Sequence, residues 1–262
     1  TQIDPTLAEP HAVMGLAFIN LRKHRESNQA FARALALDPD DVTANFWRAL
    51  TLLNSGYRRQ GIAALDRTLQ LDPLLPNALL WRGRVHVEEG ELDQGERLIR
   101  RAAEGGHGFV GIAMARLEMA RGNRDAAVSQ MEAGLKYFTM AFPAGTAQVF
   151  ARAFFGDPQA KARALVLIDA YLATRPAHIT SIVSAVLIHV GEPARGFSLL
   201  QDRPSTNDSL VMGELFSPPL AAARRVPEFA EFVRRMGLAA YWDEAGPPDQ
   251  CRKNANGDYA CE

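Results

Sequence analysis

Few residues in this chain are placed for chemistry. Its two cysteines, Cys251 and Cys261, stand ten positions apart in the closing stretch PPDQCRKNANGDYACE, on either side of Asn256-Gly257. An Asn-Gly pair favours a tight reversal, which makes the Cα separation of a disulfide easy to reach. On the chain-entropy argument a loop this small gains somewhat under ~3 kcal/mol from closure. Three other readings compete. A zinc site wants about four ligands, and no histidine lies near the tail. A redox pair uses C-x-x-C at a helix N-terminus, which is not this spacing. Two reduced, exposed thiols are the third. The disulfide best suits a segment rich in Asn, Gly, Asp and Pro that has no core of its own, and it implies an oxidising compartment.

Other polar clusters offer less. Glu88-Glu89 and Asp40-Asp41 are paired only by adjacency, and residues one apart on a helix do not face each other. Asp40-Asp41 fits an N-cap with favourable dipole charge. His107, in EGGHGF, fits a loop between two hairpins. The sequence has no G-x-S-x-G, H-E-x-x-H, P-loop or strand-borne G-x-G-x-x-G. No catalytic, cofactor-binding or metal-ligating residue is therefore expected, and no enzymatic role. A formal net charge of -1 removes the electrostatic case for nucleic-acid binding. No window of eighteen apolar residues is free of charge, so no bilayer span is expected. A start at Thr1 that runs almost at once into a helical pattern is expected of a piece of a longer protein, so a membrane would be reached only through a segment outside this sequence.

The elements that carry these residues repeat. Ile3-Asp4-Pro5, Leu37-Asp38-Pro39 and Leu71-Asp72-Pro73 recur every 34 residues, and Gly56, Gly90, Gly122, Gly156 and Gly191 follow at 34, 32, 34 and 35. Each glycine lies between two helix-length apolar stretches, where it ends one helix and turns the chain into the next. Thr6 to Glu9 has the pattern of a capping box. Asp157-Pro158 and Glu192-Pro193 place proline at the first helical position. Second-helix residues such as Phe31, Ala34 and Leu35, or Leu65, Thr68 and Leu69, fall at helical spacing. The pattern is helix-turn-helix, repeated.

This period, with Gly15, Phe18, Phe31, Ala34 and Pro39 in the first unit and Ala49, Leu52, Gly61, Leu65 and Pro73 in the second, resembles the tetratricopeptide repeat. Ser27 and Thr68 depart from the usual small alanine, and His86 stands at an aromatic position of the third unit. The resemblance implies an all-α, right-handed superhelical solenoid of about six hairpins, with well-formed repeats over 1–137 and degenerate hairpins over 138–207. Residues 208–262 would form a helical C-terminal cap and a disulfide-closed tail. In the cap, SLVMGELF is expected to be a short helix and Phe229, Phe232, Val233 and Met236 to form one helical face packed on the preceding hairpins.

The repeat register also implies a concave row on the first helices for a protein or peptide: Leu16, Ile19, Asn20, Phe46, Trp47, Leu50, Asn54, Asn77, Leu80 and Trp81, with Asn45 beside it. The plain alternative for the tryptophans is hairpin-to-hairpin core. Another occupant of the groove is the chain's own tail, with Phe229, Tyr241 and Trp242. Residues Pro227 to Glu262, with the ordered elements RRMGL, YW, G-x-PD-x-C and a final cysteine, also resemble the C-terminal signature of bacterial membrane signalling proteins. In these a repeat region follows a CadC-type winged-helix regulator or an adenylate/guanylate cyclase domain. That resemblance implies a noncatalytic sensor region on the periplasmic side of the inner membrane. A cytoplasmic protein-binding scaffold with reduced cysteines and a small-molecule receptor using the concave cavity are the alternatives.

Overall fold

The computed structural model describes residues 7–140, 142–174, 180–202 and 214–262. They fall into two compact units, Thr1–Pro73 with Leu200–Glu262 and Leu74–Leu199. The fold is all-α and of the tetratricopeptide-like hairpin class. In the first unit α1 (Ala8–Asn20) pairs with α2 (His24–Leu37), and α3 (Val42–Asn54) with α4 (Arg58–Leu71). The second holds α5 (Pro76–Glu88) with α6 (Leu92–Glu104), α7 (Gly111–Ala120) with α8 (Arg124–Leu135), α9 (Thr146–Phe154) with α10 (Pro158–Thr174), and α11 (Thr180–His189). The next helix, α12 (Pro193–Asp202), pairs with α11, since a Cβ on Gly196 would sit 2.6 Å from Ile188. Six hairpins result among the described residues.

The glycine ruler has a direct backbone cause. Gly56, Gly90, Gly122, Gly156 and Gly191 all adopt φ between 81° and 88°, the left-handed region that costs a side chain energy. The next residue's N–H then returns to a carbonyl five back, as from Tyr57 to Leu52 and from Glu91 to His86, which closes the helix end. Hairpin 1 makes the same bond, Lys23 N–H to Phe18 O, but puts Arg22 at φ 59° in the glycine's slot. Close approach explains another pair. A Cβ on Gly83 would meet Gly95 O at 3.1 Å, and one on Gly95 would meet Gly83 O at 3.0 Å, so α5 and α6 pack backbone to backbone.

Helix starts are set by local chemistry. Asp41 accepts from Ala44 N–H at 2.7 Å, while Asp40 pairs with Arg67 instead. Asp157 accepts from Gln159 and Ala160 N–H, each at 3.0 Å, ahead of Pro158. The capping box at Thr6 lies outside the described residues; the N-cap of α1 is Leu7, without a side-chain bond. In the second unit the core gathers Met131, Phe150, Ile168, Val183, Val186 and Leu187, with Phe142 stacked on Tyr171 at 4.2 Å.

The C-terminal residues belong to the first unit. Within SLVMGELF, residues 209–213 lie outside the described residues; Leu215 and Phe216 are buried. Two 3-10 turns, Pro218–Leu220 and Ala223–Arg225, lead to α13 (Pro227–Arg235) and α14 (Leu238–Ala245). In α13 Phe229, Phe232 and Val233 are buried while Arg234 and Arg235 bind Glu231 in solvent. Two short strands follow, β1 (Cys251–Lys253) and β2 (Tyr259–Cys261), antiparallel with Cys251 opposite Cys261. Asn254 Oδ1 accepts the N–H groups of Asn256 and Asp258 across the reversal. A disulfide joins Cys251 to Cys261 over a Cα separation of 4.0 Å, with both residues buried.

Candidate binding surface

The concave row is only partly a surface. In the first unit Phe46, Leu50 and Asn54 are buried, Leu16, Ile19 and Trp47 are half-buried, and Asn20 is exposed. Trp47 packs on the core of Ala12, Phe31, Ala34 and Ala44, and meets Phe46 edge-on at 5.2 Å. It is hairpin-to-hairpin core, as its apolar ring next to small residues dictates. Asn45 is committed locally: its Nδ2 donates to Pro39 O at 3.0 Å and Asp41 O at 2.9 Å. In the second unit Leu80 is buried, Trp81 is half-buried under the Arg84 guanidinium at 4.4 Å, and Asn77 is exposed. Phe46, Leu50 and Leu80 thus serve packing, because inward-facing positions of a first helix also meet the neighbouring hairpin.

The tail was expected on the hairpins that precede it, and instead its described bonds run to the first two. Trp242, fully buried, donates from Nε1 to Ser55 O at 2.9 Å. Tyr57 Oη donates to Gly246 O at 2.6 Å, and its ring meets Tyr241 edge-on at 5.7 Å. Arg59 N–H donates to Asp249 Oδ2 at 2.7 Å. Pro248 and Phe216 close over Gly56, where a Cβ would come within 2.9 Å and 3.2 Å of them. Around hairpin 1, His24 Nε2 donates to Met236 O at 2.9 Å and its ring stacks 6.0 Å from Tyr241. Arg25 pairs with Glu244, and Arg22 donates at 3.2 Å to Leu200 O, which belongs to α12 ahead of the tail. On the hairpins these groups sit in the turns joining α1 to α2 and α3 to α4 (Arg22, Ser55, Gly56, Tyr57) and in the first residues of α2 and α4 (His24, Arg25, Arg59). The reason is chemical: helix ends and turns present carbonyls that need donors, and the tail brings an indole, while the turns bring a phenol and guanidiniums to tail carbonyls and carboxylates.

Burial tunes the groups at this contact. It pushes the Tyr57 phenol well above its usual value and the Tyr241 phenol above it, and lowers the His24 imidazole, which favours the neutral ring. Arg224, itself buried, gathers the tail: it donates to Leu215 O, Ser217 O, Gln250 Oε1 and Glu262 O, and burial brings its pKa down to about 10. Tyr259 packs edge-on against Trp242 at 4.9 Å and donates to Asp243. The disulfide thus secures the strand that backs the indole.

Neither of the remaining polar settings builds a reaction centre. His86, Glu89 and Glu91 bring ligand-type atoms within 4.8 Å of one another. His86 Nδ1 is taken by Glu91 at 2.5 Å and Glu89 faces Arg82, so the trio ties the end of α5 to the start of α6. His107 Nδ1 accepts from Phe109 N–H at 3.2 Å and staples its own loop, with burial lowering its pKa. Sequence reasoning missed His24, Ser55, Tyr57 and Arg22 as contact residues. Only Arg22 left a signal, standing 34 residues before Gly56 where the ruler calls for glycine.

Residues 13–57 and 49–107 match the tetratricopeptide repeat family. No curated protein matches the chain. Among solved structures, a tetratricopeptide repeat protein from Parabacteroides merdae aligns with a TM-score of 0.54 at 18% identity, over 80% of this chain and 82% of that one. The APC/C hetero-tetramer Cut9-Hcn1 aligns with a TM-score of 0.53 at 13% identity, over 88% of this chain and 43% of that one. At these identities the likeness is one of fold.

Proposed function

We propose that this chain is a noncatalytic module that binds a protein or an extended peptide, and that it serves as the periplasmic sensor region of a bacterial membrane signalling protein. Its effector would be a transcription regulator or a nucleotide cyclase across the membrane. A hairpin array supports the binding half, since stacked helix pairs offer long solvent-facing helix surfaces. The tail carries the sensor half. The ordered elements that resemble the signalling-protein signature are the ones that dock: Tyr241 and Trp242 on the turns, Gly246 under Tyr57, Pro248 on Gly56, Asp249 on Arg59, and Cys251 in the disulfide. A cysteine pair buried inside such a contact is suited to an oxidising compartment.

The thiol state in the native cell tests this reading. Cells are quenched with an alkylating agent and no reductant, and the peptide holding Cys251 and Cys261 is weighed. The proposal expects both cysteines unlabelled and joined. Full alkylation of both would refute the compartment and favour a cytoplasmic scaffold.

A further inference from the structure

The second unit carries a groove apart from the concave row. It lies between the 143–145 loop, α9 and the first half of α10, and has a volume of about 410 Å³. Two helices lend it the same pair of side chains, Gln148 with Arg152 from α9 and Gln159 with Arg163 from α10. A spacing of four puts each pair on one helix face. Val149, Ala160 and Leu167 supply apolar lining. The acidic group there, Asp157, already caps α10. Neither the Arg152 nor the Arg163 guanidinium has a hydrogen-bonded or ion-paired partner among the described residues. A second cleft of about 480 Å³ shares Gln148, Arg152 and Asp157 and continues along α8, where Arg124, Asp125, Val128, Ser129 and Glu132 line it.

We infer that this joined groove takes an extended acidic peptide, its carboxylates at Arg152 and Arg163 and its backbone amides at Gln148 and Gln159. The inference rests on the protein-binding reading and names the partner's chemistry. A guanidinium offers a two-pronged donor that matches a carboxylate, and a glutamine side chain offers both the donor and the acceptor that a peptide unit needs. Two clefts meeting at Arg152 form a track longer than one side chain, which suits a strand advancing about 3.3 Å per residue better than a lone carboxylate. The far end has its own polarity. Asp125 and Glu132 stand there with Arg124, so the acidic residues of the partner lie at the α9–α10 end and a neutral or basic residue lies over α8.

Fluorescence anisotropy with three labelled peptides of equal length tests the assignment on the oxidised full chain. In one half of each peptide serine alternates with glutamate, glutamine or lysine, the other half is serine alone to lie over α8, and the peptides are titrated at low ionic strength. The glutamate peptide is expected to bind at least about tenfold more tightly than the other two. The double variant Arg152→Gln with Arg163→Gln should lose that advantage while its thermal melt stays unchanged, since both arginines are exposed. Retention of tight glutamate-peptide binding by the double variant overturns the groove. Equal binding by all three peptides also overturns it yet leaves a peptide-binding module standing. Absence of binding by all three overturns the groove and counts against the binding reading as well.

Discussion

Replacing Trp242 is the sharpest perturbation of the contact between the tail and the first two hairpins. The indole is fully buried, donates to Ser55 O at 2.9 Å, and lies edge-on to Phe216 at 6.0 Å and to Tyr259 at 4.9 Å. Truncating a buried tryptophan to alanine costs roughly 3–5 kcal/mol. That is a large share of the ~5–15 kcal/mol that holds a typical domain. Trp242→Phe keeps most of the ring and removes the donor, so its cost is set mainly by the orphaned Ser55 carbonyl, about 1–3 kcal/mol. Tyr57→Phe removes the bond to Gly246 O and should cost about 1 kcal/mol. Because both side chains anchor the same segment, the Trp242→Phe and Tyr57→Phe losses should couple rather than add. Guanidinium melts followed by circular dichroism give the energies, and hydrogen exchange over residues 54–59 locates the loss. A Trp242→Ala variant within about 1 kcal/mol of wild type, or one whose turn exchanges as before, would refute the docking described here.

Three further outcomes follow from the same contact. Reducing the protein, or replacing both cysteines by serine, should lower stability by somewhat under ~3 kcal/mol and speed exchange in β2, read as a drop in thermal midpoint with reductant. His24 sits with Nε2 on Met236 O and Nδ1 buried without a partner among the described residues, faced by Arg22, Glu26 and the Tyr241 ring. Burial, offset in part by the Met236 bond, lowers its pKa below the ordinary 6.5. The neutral imidazole therefore contributes stability that is complete above pH 6.5 and drains away as the pH falls below it toward the depressed folded value. Denaturant midpoints at about pH 7.5 and about pH 5 should differ more for wild type than for His24→Gln. Arg22 keeps a left-handed backbone at φ 59° and a bond to Leu200 O. Arg22→Ala loses the bond and keeps the strain, whereas Arg22→Gly loses the bond and sheds it. The alanine variant should thus melt as the weaker of the two, by about 1 kcal/mol.

What the sequence disclosed and what it hid divide along the range of the interactions. The hairpins are local. Apolar period, proline at first helical positions and a glycine wherever φ must turn positive act over a few residues, so Gly56 and Gly90 could be placed without a structure. The disulfide pair was legible for the same reason, since an Asn-Gly turn does the work within eleven residues. The berth of the tail was not legible. Trp242 and Ser55 lie 187 residues apart, and nothing in the apolar spacing of α14 says which exposed turn its indole will meet. The concave row was misleading because the repeat register fixes which side a residue takes, not whether a neighbour covers it. Phe46 and Leu50 are covered and Asn77 is not. Arg22 shows how a break in a repeat can be read: a residue that tolerates the glycine slot poorly is there for its side chain.

Selection of random display peptides on the oxidised, purified chain tests the binding claim most directly. The account predicts that rounds of selection converge, that the enriched peptides compete with one another, and that they bind the folded chain one to one and release it when it is unfolded. A selection that enriches nothing over denatured protein would contradict it.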